Sequence, residues 1–386
     1  MTKVLATPAA RGYRMPAEWD RHAATWLGWP HNAGDWPGKI APIHWVYGEI
    51  VRKLAPGEPV RILVNSAAHE TQARRVLERA GADCERVEFF RIPTNRGWTR
   101  DSGPMFVRSG GESPQVAIAG FRFNAWAKYR NWQKDDQVPA RAARALRMKV
   151  LPATLDGREV ILEGGSIDVN GRGALLTTEE CLLDPSVQVR NPGFAREDYE
   201  RVFRDMLGAT QVLWLGRGIV GDDTHGHVDD ICRFVTPAAV VLCQESDPKD
   251  ENYRALQENR ERLEGARLED GSRVEVLTLP MPAPLHFEGR RLPASYANFY
   301  IGNEAVLVPT FNDPNDRLAL GVLAEIFSGR TVVGIHAVDL VWGLGTIHCL
   351  TQQEPARKRN SGDERRRSWP PPTRPSGVFR GHYVDS

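Results

Sequence analysis

One cysteine, one histidine and three carboxylates stand in short polar motifs that are spread over much of this 386-residue chain. In chain order they are Asp101, Glu163, His227, Asp229 and Cys349. A thiol, an imidazole and three acids are sufficient for nucleophilic attack on a cationic carbon, because the imidazole can move protons and the acids can hold the cation. No other combination of residues in the chain predicts a chemistry as specifically.

Cys349 is the last of five cysteines, which stand at positions 84, 181, 232, 243 and 349. A cysteine between apolar neighbours is ordinarily an inert core residue. The Gly-Leu-Gly stretch at 343–345 and the polar TQQ run at 351–353 favour a reactive thiol instead. The odd number of scattered cysteines and the lack of a Cys-x-x-Cys pair argue against disulfides and against a structural zinc site. We therefore expect free thiols in a reducing compartment.

The histidine and one of the acids share the segment 221–235, GDDTHGHVDDICRFV, which runs from a loop into a predicted strand. Residues two apart in a strand point to the same face, so one pocket can hold both His227 and Asp229, while Cys232 should face away. Two alternatives remain for this segment. One is a polar loop with a capping Asp, and the other is a metal site, because His225, His227 and the neighbouring Asp residues are ligands that first-row metals accept.

The two other acids lie in segments rich in turn residues. Glu163 follows the apolar run 160–162 and precedes two glycines, which allow positive φ or the close approach of a ligand. Asp101 lies in the sequence RDSGP at 100–104. In both segments a plain turn with an exposed acid is the alternative. Trp98 is a candidate aromatic wall for a cation, although most tryptophans only pack in the core.

The composition excludes several classes of protein. Lys and Arg number 50 against 49 Asp and Glu, so neither nucleic-acid binding nor binding to a membrane surface is indicated. No apolar segment approaches the roughly 20 residues needed to span a bilayer, and the first residues lack the apolar run of a signal peptide. We expect a soluble, cytoplasmic protein, and its 41% of hydrophobic residues allow a sizeable core.

Short β-branched apolar runs bounded by Gly, Pro, Asn or Asp predict nine strands. They lie at 60–64, 87–92, 116–121, 173–177, 212–215, 240–243, 274–279, 305–308 and 331–335. Apolar residues at helical spacing predict six helices, at 40–54, 69–80, 139–148, 196–207, 249–263 and 315–327. The alternation of strands and helices predicts an α/β protein. The chain has no Gly-x-Gly-x-x-Gly after a first strand, no Walker-type phosphate loop and no evident sequence repeat.

The end of the chain differs in composition from the rest. Residues 356–386 contain the runs RKR, RRR and PPP and show no apolar periodicity. Such a composition predicts a basic, proline-rich tail without packed structure. Contact between this tail and an acidic partner is the alternative.

Taken together, the motifs resemble those of the agmatine deiminase family, also called the Porphyromonas-type peptidylarginine deiminase family, in the guanidino-group modifying superfamily. The resembling segments are MPAEW at 15–19, TWLGWP at 25–30, RDSGP at 100–104, EGGS at 163–166, LTTEECLL at 176–183, GHVD at 226–229, SYANFY at 295–300 and IHC at 347–349. Each motif alone is modest, but the ordered set is specific.

The resemblance implies a fold and a set of site residues. The fold is a five-bladed α/β propeller, the pentein fold, made of ββαβ-like modules around a central active-site channel, with residues 1–355 as a single catalytic domain. The implied catalytic residues are Cys349 as nucleophile, His227 as acid–base, and Asp101, Glu163 and Asp229 as carboxylates around a guanidinium. The implied substrate-binding residues are Trp98, Asp101, Glu163, His225, Asp229 and Asn298.

The implied reaction is the deimination of agmatine. The Cys349 thiolate attacks the guanidinium carbon, ammonia leaves, and water releases a ureido compound, N-carbamoylputrescine, on the route to putrescine. No metal and no organic cofactor is needed for these steps. The partner is therefore a small guanidino substrate, and self-association into a homo-oligomer is left open.

Three alternatives to an agmatine deiminase remain. The first is a deiminase of arginine, peptidyl-arginine or another guanidino compound, since the same residues serve a different end of the pocket. The second is a metal-dependent hydrolase that uses His225, His227 and the Asp cluster, and the third is a non-catalytic binding protein. His225 stands where many agmatine deiminases have an acid or an amide, and the tail has no counterpart in the family.

Overall fold

The computed structural model of the protein describes residues 7–357. Within this range the chain forms nine α-helices: α1 (Ile40–Leu54), α2 (Ala67–Arg79), α3 (Thr99–Ser102), α4 (Val138–Leu146), α5 (Glu179–Leu183), α6 (Arg196–Val202), α7 (Tyr253–Leu263), α8 (Pro314–Ile326) and α9 (Ile347–Leu350). All six predicted helices are present, and α6 continues as a π-helical segment, Phe203–Leu207. The predicted basic tail, from residue 358 onward, lies outside the described residues.

The same part of the chain forms 21 strands. They are β1 (Tyr13–Arg14), β2 (His22–Gly28), β3 (Val60–Leu63), β4 (Val87–Phe90), β5 (Met105–Ser109), β6 (Val116–Gly120), β7 (Val150–Pro152), β8 (Thr154–Leu155), β9 (Arg158–Glu159), β10 (Asp168–Val169), β11 (Ala174–Thr178), β12 (Gln211–Leu215), β13 (Cys232–Phe234), β14 (Ala239–Gln244), β15 (Glu275–Pro280), β16 (His286–Phe287), β17 (Arg290–Arg291), β18 (Tyr300–Ile301), β19 (Ala305–Thr310), β20 (Thr331–His336) and β21 (Thr351–Pro355). All nine predicted strands are among them.

Some strands carry no sequence signal, and β21 is the clearest case. Its sequence is TQQEP, yet every one of its residues is buried, because it pairs antiparallel with β2. Two of the polar side chains have partners inside: Nε1 of Trp26 donates to Oε2 of Glu354 at 2.9 Å, and Nη1 of Arg100 donates to Oε1 of Gln353 at 2.8 Å. A buried strand made of polar residues cannot be recognised by apolar alternation.

Five of the sheets share one topology, in which an antiparallel pair of strands is followed by a parallel pair. The strand orders are β1-β5-β6-β7, β10-β11-β12, β13-β14-β15, β18-β19-β20 and β21-β2-β3-β4. A parallel pair needs a long crossover, and helices supply it: α4, α5 with α6, α7, α8 and α1, in the same order of sheets. The molecule thus repeats a strand–strand–helix–strand unit without a repeat in its sequence.

The helices hold these sheets together by their apolar faces. In α1, Ile43, Tyr47 and Ile50 are fully buried against α2, β19 and β20, while Val46 is only partly buried. Burial of an isoleucine side chain contributes about 1.5–3 kcal/mol to stability. Among residues 7–357, none of the helices has both the length and the apolar character needed to cross a bilayer.

In four of the five repeated units a short helical turn precedes the first strand, and these turns meet. Helix α3 comes before β5, the 3₁₀-helix Gly164–Ser166 before β10, the 3₁₀-helix Val228–Asp230 before β13, and α9 before β21. Helix α3 packs against α9 and against the turn Gly164–Ser166, which packs in turn against Val228–Asp230. The topology therefore brings together segments that are far apart in the sequence.

Candidate active site

Each of the five units contributes one polar residue to a buried cluster, from the segment before its first strand. The residues are Asp101, Glu163, Asp229, Asn298 and Cys349. None is more than 5% exposed. The predicted thiol and the three predicted carboxylates therefore do lie in one region, although they come from four different units.

The local structure differs from the prediction at His227 and Asp229. The expected strand over these residues is wrong: His227 precedes the 3₁₀-helix Val228–Asp230, and β13 begins only at Cys232, which lies in the hydrophobic core. Both side chains still reach one site because the chain turns there, and Nδ1 of His227 lies 4.0 Å from Oδ1 of Asp229. Asp101 likewise lies in a short helix rather than in an open turn.

Cys349 has a buried thiol with two polar neighbours. Nδ2 of Asn298 donates a hydrogen bond to Sγ at 3.1 Å, and Oδ2 of Asp229 lies 3.8 Å from Sγ. Burial raises the pKa of the Cys349 thiol well above its ordinary value, and the charges of Asp229, Asp230 and Asp101 raise it further. The thiolate therefore needs a nearby positive charge to form readily.

His227 is fully buried, and neither of its ring nitrogens has a hydrogen-bond partner within residues 7–357. Nδ1 lies 3.8 Å from Oδ1 of Asp101, and Nε2 lies 3.9 Å from Oε2 of Glu163. Burial alone acts to lower the pKa of His227, but Asp101, Cys181 and Glu163 outweigh it, so the pKa stands well above its ordinary value. This imidazole can hold a proton inside the cluster.

Asp101 is held by two hydrogen bonds. Nε1 of Trp126 donates to Oδ2 at 2.9 Å, and the backbone N–H of Gly165 donates to Oδ1 at 3.1 Å. Trp126 is the middle one of three successive residues, 125–127, with φ of 53°, 60° and 53°. Such strained backbone is characteristic of functional sites. Burial raises the pKa of Asp101 to about 6, although His227 acts to lower it.

Glu163 forms a fully buried ion pair with Arg190. Nε of Arg190 lies 3.2 Å from Oε1 of Glu163, while Oε2 has no hydrogen-bond partner in the described part of the chain. Burial acts to raise the pKa of this carboxyl, but Arg190 and His227 outweigh burial and lower the pKa to about 2. Glu163 is therefore ionised, with one oxygen free to accept.

As in Glu163, one carboxylate oxygen of Asp229 has a partner and the other is free within residues 7–357. Oδ2 accepts a hydrogen bond from Nδ1 of His348 at 2.6 Å, and Oδ1 has no partner among the described residues. Burial acts to raise the pKa of Asp229, but His348 and His227 bring it below its ordinary value. Two ionised carboxylates, each with a free buried oxygen, thus lie beside one imidazole and one thiol.

The two glycines after Glu163 are required by close packing of protein groups. A Cβ on Gly164 would lie 2.3 Å from the carbonyl oxygen of Arg100. A Cβ on Gly165 would lie 2.5 Å from Nδ1 of His227 and 2.8 Å from Oδ1 of Asp101. Neither glycine has a positive φ, so close approach alone accounts for both.

A cavity of about 520 Å³ leads to the thiol. Cys349 and Asp101 line it, and so do the aromatic residues Trp98, Trp126, Tyr129, Phe287 and Trp342. The predicted aromatic wall at Trp98 therefore faces this cavity. A Cβ on Gly345 would lie 3.0 Å from the Trp98 ring and 3.2 Å from Sγ of Cys349, so the glycine allows the ring and the thiol to approach each other.

Charged residues line the same cavity away from the thiol. Arg96 forms an ion pair with Asp35, whose Oδ2 has no hydrogen-bond partner within the described ranges. Burial raises the pKa of Asp35 to about 6, although Arg96 acts to lower it. Asp223 accepts from Nζ of Lys128 at 2.6 Å and from Arg290 at 3.1 Å, so its charge is already balanced.

Two predicted substrate-binding residues occupy other positions. His225 does not line the cavity: Nε2 lies 2.9 Å from Oδ2 of Asp184, and the ring is otherwise nearest to Glu180. Asn298 lies inside the cluster, but its amide is used within the protein. Nδ2 donates to Oδ1 of Asp230 at 2.9 Å as well as to Cys349.

Other polar residues of the site escaped sequence reasoning. Arg190, Trp126, His348 and Asp35 all touch the cluster or the cavity. Arg190, Trp126 and Asp35 stand in segments that resemble ordinary loops. His348 had one available signal, because it directly precedes the candidate nucleophile. The other three had none, since only the fold brings them to the site.

Two groups of three possible metal ligands occur among the described residues: Glu163, Cys181 and His227, and Asp229, Asp230 and Cys349. The ion pair with Arg190 opposes a cation beside Glu163. In the second group, Nδ2 of Asn298 already donates hydrogen bonds to Oδ1 of Asp230 and to Sγ of Cys349. His225, the ligand that motivated the metal alternative, belongs to neither group.

The chain has a clear family. Residues 14–355 match the sequence model of the family described as Porphyromonas-type peptidyl-arginine deiminase. The chain belongs to this family. The predicted resemblance is confirmed over the whole span of the motifs on which it was based.

Its relatives include named enzymes. The chain is 36% identical to an agmatine deiminase of Ectopseudomonas mendocina over 92% of this chain and 99% of the relative, and 35% identical to one of Pseudomonas aeruginosa over 93% and 100%. Among solved structures it is similar to the agmatine deiminase of Enterococcus faecalis, with 31% identity, a TM-score of 0.83 and coverage of 92% and 99%. It is also similar to a substrate-bound agmatine deiminase of C. jejuni, with 29% identity, a TM-score of 0.78 and coverage of 90% and 97%.

Proposed function

We propose that this protein is an agmatine deiminase, a hydrolase that converts agmatine and water to N-carbamoylputrescine and ammonia. Two relatives that carry this name share 35–36% of their residues with the chain over more than nine-tenths of their length. The chemistry of the buried cluster supports the same conclusion independently of the names. A guanidinium is a planar cation with several N–H donors, and it needs acceptors that remain charged when water is excluded.

The free oxygens of two buried carboxylates are the observation that carries this proposal. Oε2 of Glu163 and Oδ1 of Asp229 have no hydrogen-bond partner among the described residues. Buried polar atoms are almost always satisfied, so a pair of unsatisfied acceptors beside a thiol points to a ligand with donors. A guanidinium bound between them would satisfy both oxygens and bring its carbon to the Cys349 thiol.

The proposed reaction begins with the bound cation. Its positive charge favours the thiolate of Cys349, which the free site disfavours, and the departing proton passes to solvent or to a nearby base. The sulfur forms a bond to the guanidinium carbon. His227 gives its proton to one nitrogen, the carbon–nitrogen bond breaks, and ammonia departs. The intermediate that remains is an amidino thioether on Cys349. Water, deprotonated by His227, then attacks the same carbon, and the carbon–sulfur bond breaks to give the ureido product.

In this proposal Asp35 binds the primary ammonium of agmatine. Oδ2 of Asp35 is buried and unpartnered within the described chain, and the residue lines the cavity that leads to Cys349. Arg96 and Arg290, the two arginines that line the same cavity, are already paired with Asp35 and Asp223. An arginine substrate would bring a carboxylate as well as an ammonium towards these acids, whereas agmatine brings an ammonium alone. The cavity chemistry therefore favours agmatine over arginine.

We also propose that the five repeated units are the blades of a five-bladed propeller in a single domain, residues 1–355, with the site in its central channel. Their common strand order supports this arrangement, as does the contribution of one site residue by each unit. Strand β2, near the start of the described part of the chain, pairs with its last strand, β21, in one sheet, as ring closure requires. Five free cysteines agree with the expected cytoplasmic location.

The direct test is turnover of the purified full-length protein with agmatine and with arginine, side by side, following both ammonia and the ureido product. We expect kcat/KM for agmatine to be at least about 100-fold above that for arginine, because placing the carboxylate of arginine beside the acids of a buried site costs several kcal/mol. Cys349→Ser should abolish ammonia release and keep the melting temperature. Cys243→Ser, a change at another buried cysteine outside the cluster, is the matched control and should retain turnover.

Two results would overturn the proposal. Equal or better turnover of arginine would assign the protein to a different guanidino substrate. Ammonia release by Cys349→Ser at a near-normal rate would show that another group is the nucleophile.

A further inference from the structure

The imidazole of His348, the residue directly before the candidate nucleophile, lies between two buried carboxylates. Its Nδ1 is 2.6 Å from Oδ2 of Asp229, and its Nε2 is 2.7 Å from Oε2 of Glu18. All three side chains are almost completely buried. Neutral imidazole has only one N–H donor, so both contacts are hydrogen bonds only if the ring is an imidazolium or one acid is protonated.

Glu18 has the partners that keep it ionised. Nη2 of Arg233 lies 2.9 Å and Nη2 of Arg100 lies 3.2 Å from Oε2 of Glu18, and the backbone N–H of Ile301 donates to Oε1 at 2.9 Å. Burial acts to raise the pKa of Glu18, but Arg233, His348 and Arg100 lower it well below its ordinary value. Glu18 belongs to the MPAEW motif, for which the proposed reaction has no direct use.

Asp229 is the group on which His348 acts. With Oδ2 held by His348, Oδ1 is left as the free acceptor, and the carboxylate cannot rotate without losing a charge-assisted hydrogen bond. Oδ2 is also the atom that lies 3.8 Å from Sγ of Cys349. A cation on Oδ2 therefore opposes the negative charge that the thiol faces.

We propose that His348, clamped by Glu18, is a positioning residue: as a fixed imidazolium it orients Asp229 towards the substrate and offsets the charge of Asp229 beside the Cys349 thiol. This role deepens the proposed deiminase function and rests on it only where turnover is concerned. His348 itself does not touch the reacting carbon, because Asp229 stands between them.

Several charged groups surround His348 and the thiol of Cys349, and each contributes to the pH dependence of the thiol's reactivity. His348 faces Glu18, Asp229, Asp168, Arg100 and Arg233. The thiol of Cys349 faces Asp101, Asp229 and Asp230. Removal of the imidazolium changes the charge next to the thiol by one unit and leaves the other groups in place.

Two substitutions separate the hydrogen bond from the charge. In His348→Asn, the amide nitrogen takes the position of Nδ1 and can still donate to Asp229, but it is neutral. In His348→Gln, the amide nitrogen takes the position of Nε2, so the contact with Glu18 remains and the contact with Asp229 is lost. His22→Gln is the matched control, since His22 is also buried between an acid, Glu58, and the backbone oxygen of Glu18, but it does not touch Asp229.

The first measurement is the rate at which iodoacetamide alkylates Cys349 in the free protein, followed across pH by mass spectrometry of the labelled peptide. Both His348 variants should move the midpoint of this profile to higher pH, because a thiolate beside Asp229 loses its compensating cation. His22→Gln should keep the wild-type midpoint even if its melting temperature falls. This alkylation measurement needs no substrate, so its result is independent of whether the protein turns over agmatine.

The second measurement is turnover of agmatine by the same variants. We expect kcat/KM to fall by about 100-fold in His348→Gln, in which Asp229 is free to rotate, and by roughly 10-fold in His348→Asn, because small misplacements of a positioned group have costs of this order. Wild-type alkylation midpoints in both His348 variants, or an equal loss of turnover in both, would overturn the proposal. A midpoint shift of the same size in His22→Gln would also overturn it, since the effect would not be specific to His348. If His348→Gln does not fold, the midpoint of His348→Asn decides.

Discussion

Nε of Arg190 lies 3.2 Å from Oε1 of Glu163, and neither side chain is exposed to solvent. Arg190 also donates to the backbone oxygens of Gln188 and Thr224, so it ties Glu163 to the segment that leads to His227. Removing one partner of such a buried pair leaves an uncompensated charge, at a cost of about 3–5 kcal/mol. The pair therefore serves both the fold and the charge of the substrate-facing acid.

The first prediction concerns Arg190→Gln. Without the guanidinium, the pKa of Glu163 should rise from about 2, since burial then acts against the charged form with less opposition. Glu163 would take up a proton at pH values where it is ionised in the wild-type protein. We expect kcat/KM for agmatine to fall by roughly 100-fold at neutral pH, and the acid limb of its pH profile to move to higher pH.

The lowered pKa of Glu163 also determines how this residue contributes to the free energy of unfolding as the pH changes. The pKa of Glu163 is lower in the folded protein than in the unfolded chain, so its contribution to stability is present above the unfolded pKa and is lost as the pH falls towards 2. Arg201→Gln is the control, because it breaks the exposed pair with Asp156. An acid limb that stays in place in Arg190→Gln would contradict this role of Arg190.

The second prediction concerns Gly165→Ala. A Cβ there would lie 2.5 Å from Nδ1 of His227 and 2.8 Å from Oδ1 of Asp101, so one of these groups must move. We expect turnover to fall by at least about 100-fold, together with a lower melting temperature. Gly321→Ala is the matched control: Gly321 lies in helix α8 with no atom near the added Cβ, and the change should stabilise the protein by about 1 kcal/mol with normal turnover. Normal turnover in Gly165→Ala would mean that His227 is not used as proposed.

The elements of this fold were predictable from sequence to a larger extent than the contacts of its site. The predicted strands and helices have local signals, such as the apolar spacing of α1, which begins at Ile40 and ends at Leu54 as expected. Strand β21 has no such signal, because its polar side chains are buried by pairing rather than by hydrophobicity. The fivefold repetition also leaves no trace in sequence, since each unit keeps the strand order and changes its residues.

The site shows the same division. Cys349, His227 and the three acids stand in short polar motifs, so their residue types could be recognised along the chain. The groups that set their charges could not be recognised in this way. Arg190 and Trp126 stand in loops of ordinary composition and reach the site only when the units assemble. The strand expected over His227 was wrong because the chain turns into a 3₁₀-helix at Val228–Asp230, and this turn brings His227 and Asp229 to one buried pocket without extended backbone.

The third prediction concerns Trp126→Phe. The change removes the hydrogen bond from Nε1 to Oδ2 of Asp101 and keeps an aromatic ring in the cavity wall. That hydrogen bond lowers the pKa of Asp101, which stands at about 6, so its loss should raise the pKa further. A carboxyl with a raised pKa is protonated over a wider range, and activity that needs the carboxylate should fall off at a higher pH on the acid side.

The measurement is the pH dependence of kcat/KM for agmatine. Trp26→Phe is the control, since Nε1 of Trp26 also donates to a buried carboxylate, that of Glu354, away from the site. An identical acid limb in wild type and Trp126→Phe would show that the ionisation of Asp101 does not limit binding.

The last prediction concerns Asp35→Asn and the far end of the substrate. The change keeps the shape of the side chain and removes the charge that we assign to the primary ammonium of agmatine. A hydrogen bond to a charged group is worth about 1.5–3 kcal/mol, so KM for agmatine should rise by roughly 10- to 100-fold. The value of kcat should change little, because the ammonium keeps the same contact throughout the reaction.

A second substrate makes this test specific. Butylguanidine has the same guanidinium and no amine, so its kcat/KM should be similar in wild type and in Asp35→Asn. Asp339→Asn, at the partly exposed pair with Lys39, controls for a general loss of negative charge. In the wild-type protein, KM for agmatine should also rise as the pH falls below about 6, where Asp35 takes up a proton. An equal loss for both substrates in Asp35→Asn would place the effect at the guanidinium instead, and the ammonium would need another partner.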